Sequence, residues 1–215
     1  MSEEDVRFTA ADAQIDGSLG IPDGANGVVC FAHGSGSSRF SSRNRYIARV
    51  LRDAGLATLL IDLLTREEER VDATTAHLRF DIPLLARRVV AACDWLSSRE
   101  NTAQLPIGTF GASTGAAAAL LAAAERPDTV RAVVSRGGRP DLAEDALSLV
   151  RAPVLLIVGG LDHPVIEMNR SAAARLAAPH ELVIVPGATH LFEEPGTMEQ
   201  VGTLARDFLV RELTA

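Results

Sequence analysis

The chain has 215 residues, of which 47% are hydrophobic and 23% charged, enough for one sizeable hydrophobic core and the balance of a folded globular protein. Its net charge of −7 argues against nucleic acid as a partner, because phosphate binding needs a basic face. All 21 basic residues are arginine, which removes Schiff-base lysines, P-loop lysines and Ser-Lys dyads from the chemistries available.

The opening segment reads as two short strands, around Val6–Thr9 and Ile15–Ile21, with Asp-Gly and Pro-Asp-Gly as turns. From Gly27 the pattern changes to short apolar runs without alternation, the mark of parallel strands covered on both faces. These runs are Val28–Ala32, Ala57–Ile61, Leu105–Phe110, Val130–Ser135, Val154–Val158 and Leu182–Val185. Helices are expected at Arg45–Ala54, Ile82–Ser98, Gly115–Glu125, Val165–Ala177 and Met198–Arg211, each bounded by glycine, proline or polar caps. The charged stretch Arg66–Arg70 reads as a solvated loop or helix end. The alternation implies a single three-layer α/β domain with helices on both faces of a mostly parallel sheet. The stretch between Ser135 and Val154 is too short for a large lid.

Cys30 and Cys93 fall inside apolar patterns and read as buried hydrophobes; no CxxC is present. His33, His77 and His180 lack metal-ligand spacing, so no metal or organic cofactor is expected. The acidic start Met1-Ser2-Glu3-Glu4-Asp5 has no apolar signal core, and no run approaches the ~20 residues that span a bilayer. A cytoplasmic protein with no membrane partner, either monomer or homodimer, is the expectation.

Ligands of such sheets gather beyond the carboxyl ends of the strands, and four of those loops carry residues that make sense together. Gly111-Ala112-Ser113-Thr114-Gly115 closes one apolar run and opens an alanine-rich helix, as a nucleophile elbow does. His33-Gly34-Ser35-Gly36 follows the first core strand. The backbone N–H of Ser35, with that of Thr114, makes a candidate oxyanion hole, and Gly34 and Gly36 are candidate substrate contacts. The competing reading of this loop is a phosphate cradle, which its spacing and the lack of lysine disfavour.

Asp162, after Val154–Val158, is placed to orient an imidazole, or alternatively to cap the helix that starts at Pro164. Were it a cap, Asp141 would be the next acid. His190, after Leu182–Val185, is either the general base or a solvent-exposed loop histidine. The order Ser113, Asp162, His190 is the chain order of a triad on this kind of fold, and it lends each weak signal the support of the others.

Over Val28–Ser38, Thr109–Leu121, Val133–Leu142, Val154–Asp162 and Val185–Gly196 the chain resembles the dienelactone-hydrolase-like branch of the α/β-hydrolase superfamily. The resemblance implies an eight-stranded, mostly parallel sheet and the triad Ser113, His190 and Asp162. The namesake enzymes carry a cysteine nucleophile where this elbow carries serine, so the implied activity is hydrolysis of small carboxylic esters without commitment to lactones. Thioester or C–C hydrolysis on the same fold is the alternative, and a non-catalytic binding homologue the more distant one. Arg136, directly after Val130–Ser135, either binds a substrate carboxylate or anchors its loop through Asp62, Asp141 or the C-terminal carboxylate. Arg39 and Arg43 present a weaker form of the same choice.

Overall fold

A computed structural model describes residues 3–11 and 13–214. Its centre is an eight-stranded sheet in the order β1-β2-β4-β3-β5-β6-β7-β8. The strands are β1 (Glu3–Ala10), β2 (Ala13–Gly20), β3 (Gly27–Ala32), β4 (Leu56–Ile61), β5 (Ile107–Ala112), β6 (Val130–Arg136), β7 (Val154–Gly159) and β8 (His180–Val185). β1 and β2 are antiparallel, β2 is antiparallel to β4, and from β4 to β8 every pair is parallel.

Helices α1 (Ser42–Asp53), α2 (Arg66–Thr75), α3 (Ile82–Ser98), α4 (Thr114–Glu125), α5 (His163–Ala173) and α6 (Thr197–Leu213) connect and cover the strands. The uninterrupted apolar runs have a simple cause: successive residues of one strand enter opposite layers. In β3, Val28, Cys30 and Ala32 pack with α3 and α4. Val29 and Phe31 pack with α1 and α6 on the other face, where Phe31 stacks on Phe110 of β5 at 4.8 Å. Cys30 and Cys93 are buried free thiols, as their surroundings in the sequence imply.

The structure departs from the sequence reading in two places. Asp16-Gly17 is not a turn but the middle of β2, where Asp16 pairs with Arg7 across the hairpin at 2.6 Å and Gly17 lies between Val6 and Leu59. Arg66–Arg70 is a helix end rather than a solvated loop, and it opens a helix, Arg66–Thr75, that the hydrophobic pattern did not indicate. It starts in a capping box in which Thr65 Oγ1 accepts from Glu68 N–H and Glu68 accepts from Thr65 N–H. Its only buried residue is Asp72, so it shows no apolar stripe to be read. Pro140–Leu149 forms 3-10 turns packed on α4 and α5, in keeping with a stretch too short for a large lid. No described helix is long and apolar enough to cross a membrane.

Two buried polar residues tie the layers to the functional end of the sheet. Arg88 of α3, 1% exposed, donates to the carbonyl of Ala10 at 2.8 Å and to Glu68 at 2.9 Å, joining the hairpin, α3 and α2. His33 at the end of β3 accepts at Nε2 from Leu63 N–H (3.1 Å), which leaves Nδ1 protonated and facing the Gly34 carbonyl (2.9 Å). It is therefore a neutral strut between the loops after β3 and β4.

Arg88→Met leaves the Ala10 carbonyl and Glu68 without their cation, and we expect a loss of about 2–4 kcal/mol in urea unfolding. Burial holds the His33 imidazole below its ordinary value of 6.5. The unfolded chain therefore takes up the proton first as pH falls. The stability that neutral His33 contributes is complete above about pH 6.5 and lost progressively below it, by at most about 1.4 kcal/mol per pH unit. Urea midpoints measured from pH 7.5 down to 5.5 should fall less steeply for His33→Gln than for the natural chain.

Candidate active site

Five loops leave the carboxyl ends of neighbouring parallel strands, and the chemistry-bearing residues converge there. Ser113 is the hinge between β5 and α4. Its backbone stands at φ 50° and ψ −122°, a region that non-glycine residues rarely enter. The same dihedrals recur at exposed Glu144, so the conformation alone does not mark a nucleophile. At Ser113 it is fixed on both sides. The Ser113 N–H donates to the Arg136 carbonyl (3.3 Å), and the Ser113 carbonyl accepts from Arg139 N–H (3.0 Å) and Ala116 N–H (3.1 Å).

The flanking glycines are sterically required. A Cβ on Gly111 would lie 2.3 Å from Ala116 Cα, and one on Gly115 would lie 2.3 Å from the Ala32 carbonyl oxygen. The first turn of α4 thus rests directly against the end of β3, which brings Gly34 over the serine: a Cβ there would be 3.0 Å from Ser113 Cβ.

Asp162 occupies the N-cap position of α5, but its side chain makes no capping hydrogen bond. Its Oδ2 instead lies 2.6 Å from His190 Nδ1. The carboxylate is largely buried, at 13% exposure, whereas His190 is 38% exposed. A carboxylate can only accept, so Nδ1 carries the proton and Nε2 presents its lone pair. The turn bearing His190 is held by Glu194, which accepts from Thr189 N–H (3.0 Å) and Thr189 Oγ1 (2.6 Å); those bonds lower the Glu194 pKa. Asp141, the reserve acid, pairs with Arg139 (2.7 Å). His163 sits exposed at the start of α5.

Ser113 and His190 line one cavity of about 250 Å³, together with Gly34, Ser35 and Arg136. No hydrogen bond joins Ser113 Oγ to His190 among the described residues, and sites without ligand are often looser than their working form. A larger chamber of about 530 Å³ lies across the loop after β3, lined by Gly34, Ser35, Gly36, Phe40, Leu64 and Thr114 among others. The Ser35 N–H points across this loop and donates to Thr114 Oγ1 at 3.0 Å, so the expected donor already has an acceptor. The Thr114 N–H stands in the first turn of α4, where helix geometry supplies no carbonyl partner.

Arg136 is 6% exposed and sits beside Ala112 in the β5–β6 register. The anchors considered for it have other partners: Asp62 holds Arg39, and Asp141 holds Arg139. The C-terminal carboxylate belongs to Ala215, outside the described residues. Asn44, 2% exposed and on the first turn of α1, is a cavity residue that sequence reasoning missed. It follows the helix N-cap Ser41, and nothing local marks it as facing β6. Among the described residues no group of three or more His, Cys, Asp or Glu is arranged to hold a metal.

Comparison with known proteins agrees with this architecture. A model of the dienelactone hydrolase family matches residues 15–207. The crystal structure of dienelactone hydrolase from Anabaena variabilis is 59% identical, with a TM-score of 0.97 over 99% of this chain and 98% of that one. Est1E from Butyrivibrio proteoclasticus, 16% identical with a TM-score of 0.82 over 98% of this chain and 99% of its own, shares the fold. A Mycobacterium tuberculosis (strain H37Rv) protein named provisionally as a phosphoribosyl transferase is 56% identical over 213 residues, which are 99% of this chain and 47% of that protein. The chain thus spans about half the length of the curated relatives it matches. With its sheet order, its elbow after β5 and a family match over nearly its whole length, the chain belongs to the dienelactone hydrolase family of α/β hydrolases.

Proposed function

We propose that the protein is a serine hydrolase that cleaves small carboxylic esters through an acyl-enzyme, with Ser113, His190 and Asp162 as its triad. The observation that carries this reading is the 2.6 Å contact between Asp162 and His190 Nδ1, on a histidine that shares a cavity with Ser113. That contact orients the imidazole with Nε2 as the base. The two cysteines, Cys30 and Cys93, are buried in the core and away from the cavity. The elbow carries two hydroxyls, and that of Ser113 shares the cavity with His190 while that of Thr114 accepts from the Ser35 N–H on the other side of the loop.

In this mechanism Ser113 Oγ attacks the ester carbonyl as its proton passes to His190 Nε2, and Asp162 stabilises the imidazolium. The developing oxyanion is met by the Thr114 N–H, favoured by the amino end of α4. The Ser35 N–H becomes the second donor once it releases Thr114 Oγ1, a rotation of one threonine side chain. Collapse of the tetrahedral intermediate breaks the bond to the alcohol oxygen, which leaves with the proton from His190. Water then gives its proton to His190 and attacks the acyl group, and the acid is released as Ser113 recovers its proton. The two chambers on either side of the Gly34–Gly36 loop offer room for the two halves of an ester. The transferase name of the mycobacterial relative is consistent with this reading, since this chain covers only 47% of that protein.

A fluorophosphonate probe should label the folded protein and should not label Ser113→Ala. A folded natural chain that takes no label would end the serine-hydrolase reading. Asp162→Asn should keep the fold yet lower kcat for an activated ester on the order of 10³–10⁴-fold, because it no longer selects the required tautomer. A loss below about tenfold would remove Asp162 from the triad.

A further inference from the structure

The loop that follows β6 touches both the serine and the histidine of the proposed triad, and a buried side chain outside the cavity holds it. The Arg136 carbonyl accepts from Ser113 N–H (3.3 Å) and Arg139 N–H donates to the Ser113 carbonyl (3.0 Å), so the loop grips the elbow at both ends. Between these two, Gly137 lies against the histidine. A Cβ on it would be 3.1 Å from the His190 carbonyl oxygen and 3.7 Å from His190 Cε1. Gly138 is pressed between β6 and α4, where a Cβ would collide with Ser135 Oγ and stand 2.6 Å from Ala116 Cβ. A loop so confined passes a shift at Gly138 on to its neighbours instead of absorbing it.

Gly137 N–H ties this loop to the Ile157 carbonyl of β7 (2.8 Å), and the Gly138 carbonyl accepts from the side-chain amide of Asn169 on α5 at 3.0 Å. Asn169 is 0% exposed and stands about two turns along the helix from Asp162, its N-cap residue. Its Nδ2 also donates to the Val165 carbonyl at 2.8 Å, and two carbonyl neighbours fix which end of the amide is the nitrogen. Oδ1 has no hydrogen-bond partner. Asparagine is a poor residue for a helix interior and is seldom fully buried, so the position carries a cost to both helix and core. What the amide supplies beyond its own helix is the bond to Gly138.

We propose that Asn169 is a positioning residue for catalysis. By holding the Gly138 carbonyl it ties the helix that begins at Asp162 to the loop that seats Ser113 and backs His190, and so sets the spacing of nucleophile, base and acid. The three arrive on different connections, after β5, β7 and β8, and the loop after β6 is where those connections meet. Asn169 does not line the cavity, so it acts through the loop and not on the substrate. The effect on rate rests on the triad reading, whereas the tie itself does not.

Asn169→Leu keeps the approximate shape of the side chain and removes the donor. With p-nitrophenyl acetate its kcat should fall about 30-fold while KM stays within about twofold, because displacing reacting groups by an ångström costs on the order of 10²-fold in rate. The second-order rate of fluorophosphonate labelling should fall in proportion. A folded variant, judged by circular dichroism and melting temperature, whose kcat falls by less than about threefold would overturn the proposal and leave Asn169 a packing residue. Should Asn169→Leu not fold, Asn169→Ser takes its place, since a serine hydroxyl bonds within its own helix and does not reach Gly138. Failure of both to fold would equally overturn the proposal. Nuclear magnetic resonance reads the geometry without turnover. A nuclear Overhauser contact between the Gly137 Hα protons and His190 Hε1 should be present in the natural protein and lost in the variant. If that contact depends on Asn169 in a natural chain that neither takes the label nor cleaves the ester, the hydrolase reading falls and the tie stands. If the contact persists in the variant, the tie falls.

Discussion

The geometry of the functional end depends on one close approach of backbones, where the first turn of α4 touches the end of β3. The space is so small that a Cβ on Gly115 would lie 2.3 Å from the Ala32 carbonyl oxygen and 2.5 Å from that of His33. Because that turn can come so near, Ser113 is lifted above the sheet between the loops that follow β3 and β6. The same approach sets Ser35 beside Thr114 and Arg139 beside the Ser113 carbonyl. The strained backbone at Ser113 persists because hydrogen bonds from the end of β6, the loop after it and the first turn of α4 over-determine it.

Around this contact the chain has used neutral struts and paired charges to hold its loops. His33 is buried and neutral, Asp62 is held by Arg39, and Glu194 clamps the turn that carries His190. The first two join loops that follow different strands and the third acts within its own loop, and each positions a loop without entering the reaction. Arg136 stands apart because it has the burial of a strut but, among the described residues, a long hydrogen bond to Asn44 and no carboxylate partner.

The elements that bury apolar faces were legible from the chain, and those that do not were missed. The runs from Val28 to Val185 correspond to β3 through β8 within a residue or two at most ends, because most residues of each central strand are apolar and enter one of two buried layers. Helix α2 was lost because only Asp72 is buried on it, so hydrophobic periodicity is silent. The capping box at Thr65 and Glu68 was a local signal that marked its start. Asp16-Gly17 was misread as a turn because that dipeptide is common in hairpins, while here strand pairing on both sides overrides the local preference.

At the site itself, the sequence by itself determined which residues are available and in what order: an elbow serine between two glycines, then Asp162 and His190 after later strands. Only the tertiary structure decided the roles that depend on partners distant in the chain. Asp162 at a helix start is a cap or an imidazole partner according to where His190 lies, 28 residues on, and the side chain turns to the histidine. Of the anchors the sequence offers Arg136, Asp62 and Asp141 are held by other arginines, which only the packing of the loops reveals. Local composition records a residue's chemistry, whereas its charge compensation is a property of whatever the fold packs against it.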